Sequence, residues 1–440
     1  MATAPELISY ERIREDLFRP LSGISGRYLL ATFAALAIVA TGLAAWGYQL
    51  RQGMGVTGLQ RPVFWGFYIV DFVFWIGISH AGTLISAILR LTDAAWRKPI
   101  TRAAEAITVF ALMIGGMFPI IHLGRAWLFY WLLPYPNARF IWPNFRSPLL
   151  WDLAAIVTYI TGSVIYLYLP LIPDIAGLAK RNMPWRRTLY RVLSLGWTGS
   201  DREWSALERA MKLMAGIILA VAVSVHTVVS WDFAMTLAPM WHSALFGPYF
   251  VVGAIFSGFA ALLLVMAIIR KLLGLELYLT AVHFNNLAKL LLLMSLLWLY
   301  FTLAEHLTVW YGNEPKEMAV FGARTRAHYA PYFWTMVFLN FVVPFVLLGV
   351  RRLRAIATAT IAAVCVLVGM WIERFVIIVP TLANPRLPAV SSLYAPTWVE
   401  IAITAATFAA MVMLFLIFSK LFPIIAVWEF KAGEEDGPCI

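Results

Sequence analysis

Ten long apolar runs dominate the sequence and limit the folds that it can adopt. A helix needs about 20 apolar residues to cross the hydrocarbon core of a bilayer, and lipid offers no partner to open backbone groups. None of the runs shows the alternation of a membrane-spanning strand. The sequence therefore predicts an all-α polytopic membrane protein with about ten transmembrane helices. The expected spans are residues 28–50, 65–90, 103–133, 149–172, 209–231, 247–270, 283–311, 332–350, 356–380 and 397–422.

Composition supports this prediction and excludes other classes. The chain has 440 residues, of which 62% are hydrophobic and 13% charged, a balance too apolar for a soluble domain of this size. The net charge of +11 is carried by short loops between the runs, so it indicates membrane topology and no nucleic-acid partner is expected. With two cysteines, Cys365 and Cys439, no disulfide framework, thiolate metal site or CxxCH haem attachment is expected.

Basic residues occur in every second loop, which predicts the orientation of the chain. Cytoplasmic loops carry the excess of Lys and Arg, so both termini should face the cytoplasm. The polar tail 1–27 lacks the apolar segment of a signal peptide and is expected to be retained. Loops 134–147 and 312–331 should face outward. The residues on which this assignment depends are Arg12, Arg14, Arg19, Arg27, Arg90, Arg97, Lys98, Arg102, Lys180, Arg181, Arg186, Arg187, Arg191, Arg270, Lys271, Arg351, Arg352 and Arg354.

Ionisable residues then gather at one depth, in the outer parts of four consecutive spans. A charged side chain in hydrocarbon costs about 3 kcal/mol, so such groups should face a bundle interior and pair or bind a ligand. We therefore expect a polar pocket that opens toward the outer leaflet. Its residues are Asp71 in the second span, His122 and Arg125 in the third, Asp152 in the fourth, and His226 and Asp232 in the fifth.

Simpler structural roles are open for three of these residues. Asp152 follows Pro148 near a helix start, where a carboxylate satisfies free N–H groups. Arg125 could extend to the membrane surface. His122 could be a structural histidine that ligates nothing. The agreement in depth among four spans favours the functional interpretation.

Six further ionisable residues could form a proton path through the membrane. Glu373 and Arg374 are adjacent and diverge by about 100° on a helix, so each is expected to have its partner elsewhere. His80 and Glu105 lie in the cytoplasmic half, where close helix packing is an alternative reason for polar residues. The full set is His80, Glu105, Glu305, His306, Glu373 and Arg374.

The outer pocket has the chemistry that a quinol requires. Oxidation of a hydroquinone releases two electrons and two protons, and a histidine can hold one hydroxyl while a carboxylate takes a proton. The seven histidines are scattered singly, with no repeated pair on two spans, so haem ligation is not expected. Neither a Gly-rich phosphate loop nor an HExxH motif is present, and no metal site is predicted.

Three segments resemble a known family. They are "GFYIVDFVFWIGISHAGTLISAILRL", "RAAEAITVFALMIGGMFPIIHLGRAWLFYWLLPYPN" and "NFRSPLLWDLAAIVTYITGSVIYLYLPLIPDIA". They are similar to the NrfD-like, polysulfide-reductase membrane-subunit family, and most of all to the quinol-oxidising ActC-type subunit of bacterial alternative complex III. The resemblance implies two four-helix bundles, spans 2–5 and 6–9, with a flanking helix at each end. The regions are then a tail 1–27, a first flanking helix 28–60, bundles 61–235 and 236–382, and a last helix with a cytoplasmic tail 383–440.

The resemblance also implies a function and a set of partners. Menaquinol or ubiquinol would be oxidised near the periplasmic face of a bacterial inner membrane by His122, Asp152 and Asp232. Electrons would pass to a periplasmic iron–sulfur subunit and a multihaem cytochrome c, beside a second NrfD-like membrane subunit. This chain itself is expected to bind no haem or iron–sulfur cluster.

Three alternatives stay open. A proton-coupled secondary transporter or channel also buries carboxylates, although the spans lack the paired broken helices typical of one. The paralogous ActF-type subunit would have the same fold without quinol chemistry. A purely structural anchor for peripheral subunits would leave the outer polar residues unexplained.

The predicted orientation can be tested with a reporter enzyme that is active only outside the cytoplasm. Because every second loop is basic, we expect activity for fusions within 134–147 or 312–331 and none within 180–205. The opposite pattern would invert the membrane sidedness.

Overall fold

The computed structural model describes residues 10–133, 142, 144–180, 184–387 and 393–431. Cys439, Arg181 and most of the predicted outer loop 134–147 lie outside these residues. Within them, helices form all the regular structure apart from an isolated bridge between Gln60 and Val63. The helices are α1 (Tyr10–Ser22), α2 (Gly26–Gln52), α3 (Phe67–Leu91), α4 (Thr101–Gly115), α5 (Phe118–His122), α6 (Pro148–Tyr168), α7 (Ile172–Ala179), α8 (Pro184–Leu193), α9 (Asp201–Ala234), α10 (Phe246–Leu272), α11 (Ala281–Gly312), α12 (Pro315–Thr325), α13 (Ala330–Val337), α14 (Val343–Gly349), α15 (Ile356–Ala383), α16 (Trp398–Leu421) and α17 (Trp428–Lys431).

The ten predicted spans are confirmed within this part of the chain. Ten helical segments are long and apolar enough to cross a membrane, and most begin and end within a few residues of the predicted limits. The fifth span begins earlier, at Asp201, and the fourth continues to Ala179 through α7. The third is shorter than predicted, since it ends at His122 and not at 133.

Local sequence explains the early end of the third span. Two glycines, Gly115 and Gly116, lie where α4 ends, and Pro119 is in the first turn of α5. Gly124 then adopts a left-handed conformation with φ of 68°, which ends the helix. The expectation that His122 and Arg125 share one helix was therefore wrong.

The helices pack in two rings that share a wall. In the first ring α3 contacts α4 and α9, while α6 contacts the same two helices. In the second, α10, α11, α13–α14 and α15 close in the same way. Helix α3 also packs against α10 and α15, so it joins the rings, and the first and last spans, α2 and α16, pair with each other outside them. This is the predicted arrangement of two four-helix bundles and two flanking helices.

The eighth span contains a break that the sequence explains. Residues 338–342 form a π-helical turn between α13 and α14. Pro344 has no N–H to donate to the carbonyl of Asn340, four residues earlier. The Ser295 hydroxyl from α11 donates to that carbonyl instead, at 2.6 Å. A neighbouring helix thus satisfies the backbone group that the proline leaves free.

Both ends of the described chain lie at the face that carries the basic loops, hereafter the basic face. There a fully buried ion pair joins Arg102 of α4 to Asp174 of α7, at 2.6 Å. Arg102 also donates to the carbonyls of Pro170, Pro423 and Ile425, and Asp174 accepts from the backbone of the segment 427–428. The pair therefore fixes the chain after α16 against the first bundle.

Removing one partner of this pair should destabilise the protein strongly. Asp174→Asn leaves the Arg102 guanidinium buried without its counter-charge, which costs about 3–5 kcal/mol of unfolding free energy. The exposed pair between Arg14 and Glu11, 3.6 Å apart, provides the control, because Glu11→Gln should cost at most about 1 kcal/mol. Thermal unfolding in detergent compares the two variants, and equal midpoints would contradict this role for Arg102 and Asp174.

Candidate functional site

Asp152 and Asp232 meet at the face opposite the basic one. Asp152 lies in the second turn of α6 and Asp232 in the last turn of α9, and both are buried. Their carboxyl groups are within hydrogen-bonding contact of each other. One oxygen of each, Oδ1, has no hydrogen-bond partner among the described residues. The structure thus brings together two of the three predicted catalytic residues as a buried pair of acidic groups.

The alternative role of Asp152 as a helix cap receives no support. The residue before α6 is Ser147 and the helix begins at Pro148, so Asp152 is already inside the helix. Among the described residues it accepts no hydrogen bond from a backbone N–H. Its neighbour Trp151 packs edge-on against Trp231, with ring centroids 6.1 Å apart, which holds α6 and α9 together beside the two carboxyls.

His122 lies at the same face, at the end of α5. Its ring packs edge-on against Tyr68 of α3, with centroids 6.5 Å apart. Its Nδ1 atom is buried and has no hydrogen-bond partner among the described residues. His122 therefore contributes a second group with free hydrogen-bonding capacity on the wall formed by α3 and α5.

Of the three other residues predicted for this pocket, Asp71 and His226 lie elsewhere. Arg125 is exposed after the end of α5. Asp71 is fully buried, and its oxygens accept hydrogen bonds from Trp371 Nε1 at 2.8 Å and Thr404 Oγ1 at 2.5 Å. It therefore faces α15 and α16, and it ties the second span to them.

His226, the third of these, packs against His80 between α9 and α3. The ring centroids are 4.5 Å apart, and the His80 ring also lies 4.6 Å from that of Tyr159. The sequence, in which the histidines are scattered singly, did not indicate this contact between two spans. His226 therefore belongs to a buried histidine pair in the interior of the first bundle.

Glu373 and Arg374 also differ from the prediction, because they pair with each other. Arg374 Nη1 lies 3.1 Å from Glu373 Oε2, and both side chains are buried. Long side chains can meet although their Cα–Cβ bonds diverge, so the expectation of separate partners was wrong. Glu373 also accepts a hydrogen bond from Trp298 Nε1 at 2.6 Å, and the Arg374 guanidinium lies 4.9 Å from the centre of the Phe250 ring.

Polar contacts continue from this pair through the second bundle. The Tyr249 hydroxyl interacts with Glu373 and lies 3.2 Å from Thr302 Oγ1. One turn further, Glu305 accepts from Ser243 Oγ at 3.3 Å, and the His306 ring contacts the Thr302 carbonyl at 2.8 Å. These residues form a polar series that leads toward the face opposite the basic one.

Arg324 of the loop helix α12 lies at the end of this series. It donates to the Ile377 carbonyl at 3.0 Å and to Thr381 Oγ1 at 2.8 Å, and Glu305 is its nearby acidic group. Burial lowers the pKa of Arg324 to about 10, which leaves the guanidinium charged at neutral pH. A cation therefore closes the polar series at this face.

Glu105 begins a similar series in the basic half of the first bundle. It accepts from Ser86 Oγ at 2.6 Å, and Ser86 lies 3.3 Å from the Tyr166 hydroxyl. Arg90 acts electrostatically on Glu105 and is bonded to Glu429 of the C-terminal segment. The six residues proposed as a proton path thus lie in three clusters, namely Glu105, His80 with its neighbours, and the series from Glu373 to His306.

Sequence reasoning missed the uncharged members of these clusters. Tyr68, Tyr159, Tyr249 and Trp298 are buried aromatic residues with polar atoms, which a search among ionisable residues overlooks. The only available signal was that a buried Tyr or Trp usually needs a hydrogen-bond partner. That signal does not identify the partner.

Two surface cavities of about 270 and 170 Å³ lie at the basic face. Lys98 lines both, together with Trp96 and His283 in the larger and with Arg97 and Lys212 in the smaller. Neither is lined by His122, Asp152 or Asp232. The candidate site is therefore defined by its side chains and not by these cavities.

Comparisons with known proteins agree with this architecture. The family model described as polysulphide reductase, NrfD, matches residues 55–385. A putative membrane subunit of dimethyl sulfoxide reductase from Halobacterium salinarum is 28% identical over 348 residues, which cover 78% of this chain and 75% of that protein. A subunit of selenate reductase from Mesobacillus selenatarsenatis is 23% identical over 414 residues, 89% of this chain and 93% of that protein.

A third relative is the Hdr-like menaquinol oxidoreductase integral membrane subunit of Archaeoglobus fulgidus. It is 23% identical over 247 residues, 56% of this chain and 52% of that protein. The family model covers well over half of the chain, from before α3 to the end of α15. The chain therefore belongs to the polysulphide reductase NrfD family and is a multi-pass membrane subunit of an oxidoreductase.

Proposed function

We propose that this chain binds and oxidises a quinol at the end of the first bundle that carries His122, Asp152 and Asp232. The observation that carries the proposal is the buried contact between Asp152 and Asp232, in which the Oδ1 atom of each has no hydrogen-bond partner among the described residues. Isolated buried carboxyl groups are costly in a membrane protein. A substrate that releases protons supplies the reason to keep two of them together.

The chemistry follows from the groups present. A hydroquinone that becomes a quinone loses two electrons and two protons. His122 Nδ1 accepts a hydrogen bond from one hydroxyl, which orients the ring. The carboxyl pair accepts the two protons of the substrate one after the other and passes the first to the outside before it takes the second. Two carboxyl groups in contact can hold one proton between them. In this proposal the residues of this chain accept only protons. The electrons leave to a partner subunit with an iron–sulfur cluster.

The identity of the complex is a finer proposal. Resemblance of three segments favours the quinol-oxidising subunit of alternative complex III, with a multihaem cytochrome c and a second NrfD-like subunit as further partners. The named relatives belong to dimethyl sulfoxide reductase, selenate reductase and a menaquinol oxidoreductase. We propose menaquinol or ubiquinol as the substrate, and menaquinol is the quinol that the third relative's name gives. In either case we place the site at the periplasmic side of a bacterial inner membrane, with both termini in the cytoplasm.

Purification of the native complex distinguishes these assemblies. Alternative complex III predicts an iron–sulfur subunit, c-type haems and a second NrfD-like chain in the same particle. A catalytic reductase subunit in their place would assign the chain to a reductase complex like those of its named relatives. A particle that contains only copies of this chain would favour the alternative of a transporter or channel.

A second proposal concerns proton movement. The series from Glu373 through Tyr249 and Thr302 to Glu305 and His306 supports a proton path through the second bundle. His80 with His226 and Glu105 with Ser86 would extend it toward the basic face. Hydroxyl, carboxyl and imidazole groups are the usual carriers in such chains.

The first functional prediction tests the quinol site. His122→Phe removes the group that holds the hydroxyl, and Asp152→Asn removes an oxygen that takes the proton. General acid–base groups contribute about 100-fold to 10,000-fold. We therefore expect each variant to lower quinol-dependent turnover of the assembled complex by at least about tenfold on that scale. Turnover is measured with a water-soluble quinol, after the metal content shows that the partners are bound.

Matched variants control for the substitution itself. His328 is exposed between α12 and α13 of the second bundle, and Asp201 is exposed at the start of α9, at the basic face. Neither belongs to the candidate site, so His328→Phe and Asp201→Asn should leave turnover unchanged. The double variant of His122 and Asp152 should lose less than the product of the single losses, because both groups act on one substrate. Near-normal turnover of either single variant in an assembled complex would refute the assigned role.

The second functional prediction tests the proton path. Tyr249→Phe removes the hydroxyl between Glu373 and Thr302 but keeps the buried ion pair of Glu373 with Arg374. We expect quinol oxidation to continue while the protons released per electron fall in complexes reconstituted into vesicles. Tyr300→Phe, at an exposed position of α11, is the control. An unchanged proton yield would exclude Tyr249 from the path.

A further inference from the structure

The first flanking helix contributes one fully buried polar side chain. Most residues of α2 are exposed along the surface of the two bundles. Gln49, in its last turn, is 0% exposed. It lies at the same face as His122, because α2 crosses the bilayer and ends there. A buried amide on a helix that is mostly exposed indicates a specific partner.

Both ends of this amide are in use. The Tyr68 hydroxyl donates to Gln49 Oε1 at 2.5 Å. Gln49 Nε2 donates to the Ile121 carbonyl at 3.1 Å and lies 3.2 Å from Met54 Sδ. The side chain therefore links α2 to α3 and to the short helix α5, with a donor and an acceptor in defined directions.

The bond to Ile121 replaces one that the helix end removes. In a continuing helix the Ile121 carbonyl would accept from the N–H of residue 125. Here Arg125 N–H donates to the Leu123 carbonyl instead, at 2.7 Å. The carbonyl directly before His122 is thus left without its helical partner, and Gln49 supplies one.

The bond to Tyr68 reaches the His122 ring itself. Tyr68 is fully buried, and its ring packs against those of His122 and Phe118, with centroids 6.5 and 6.4 Å away. Its hydroxyl can rotate only if it breaks the bond to Gln49. Gln49 therefore fixes both the backbone that carries His122 and the aromatic ring that packs against it.

The turn after His122 is also held against the end of α2. A Cβ atom on Gly124 would lie 2.7 Å from Met54 Cγ, and Gly124 has φ of 68°. Only glycine fits this close approach without strain. The segment from Pro119 to Gly124 therefore depends on contacts with α2 and the residues that follow it.

From these contacts we propose that Gln49 is a positioning residue for His122. The inference rests on the proposed function, since it assigns Gln49 to the quinol site without direct contact with the substrate. A neutral amide suits the task because it offers one donor to the Ile121 carbonyl and one acceptor to Tyr68 at the same time. An apolar side chain offers neither, and an ionised carboxylate offers only acceptors.

The principal test is Gln49→Leu in the assembled complex. This substitution removes two hydrogen bonds and leaves the Ile121 carbonyl and the Tyr68 hydroxyl buried and unpaired. We expect kcat/KM for quinol to fall by about tenfold or more. Hydrogen–deuterium exchange of the backbone amides of residues 121–125 should become faster. Gln52→Leu, the same substitution at an exposed position of the same helix, should change neither quantity.

Gln49→Glu separates positioning from a general loss of structure. A protonated carboxyl provides one donor and one acceptor, like the amide, whereas the ionised form repels the Ile121 carbonyl. The activity of this variant relative to the unmodified complex should therefore rise as pH is lowered, while the ratio for Gln49→Leu stays flat. The titratable groups that face this position are Tyr68 and His122, and Asp71 and Glu400 act electrostatically on Tyr68.

Each result decides the inference. Gln49→Leu values equal to those of Gln52→Leu, or a Gln49→Glu ratio that does not change with pH, would overturn it. If Gln49→Leu does not assemble, Tyr68→Phe takes its place, because it removes one of the two hydrogen bonds. This variant should also lower kcat/KM for quinol. A normal kcat/KM for Tyr68→Phe would overturn the inference. Normal turnover of His122→Phe would overturn the proposed function as well. Low turnover of His122→Phe together with a normal kcat/KM for Gln49→Leu would overturn this inference alone.

Discussion

Hydrocarbon cannot hydrogen-bond to a protein, and this constraint determines where polar side chains lie in the structure. Asp71, Arg102 and Glu373 are each buried, and each is bonded to groups on other helices. Such bonds replace the water that these side chains would otherwise need. The contact between Asp152 and Asp232 differs, because it joins two acidic groups and brings no basic side chain to either carboxyl among the described residues. That exception supports a proton-releasing ligand at this place.

Helix α3 connects the different parts of the structure. Tyr68 faces His122, Asp71 faces α15 and α16, and His80 faces α9. One helix therefore contributes to the candidate quinol site, to the contact between the bundles and to the histidine pair. All three contacts therefore depend on the position of this one helix.

Much of the fold could be predicted from the sequence because span length and loop charge are local properties. The ten spans followed from runs of apolar residues, and the pairing of α2 with α16 agrees with the two expected flanking helices. The early end of the third span was missed, since apolar residues continue beyond His122 while Pro119 and Gly124 end the helix. Glycine and proline limited the helix where hydropathy did not.

The site was predicted in part for a related reason. Depth along a span places Asp152 and Asp232 at one level, but the direction of a side chain around its helix depends on packing. Asp71 faces α15 and α16, and His226 lies deeper in the first bundle, in contact with His80. Gln49 was missed because it is uncharged and lies on a helix that mostly faces lipid.

Covalent labelling of the assembled complex with a photoreactive quinone tests the central claim most directly. Mass spectrometry of the labelled peptides should place the label on α5 and on the ends of α6 and α9 that carry Asp152 and Asp232, and excess quinol should prevent the labelling. Label confined to the basic face or to the lipid-facing side of α11, or label that quinol does not displace, would contradict a quinol site at these residues.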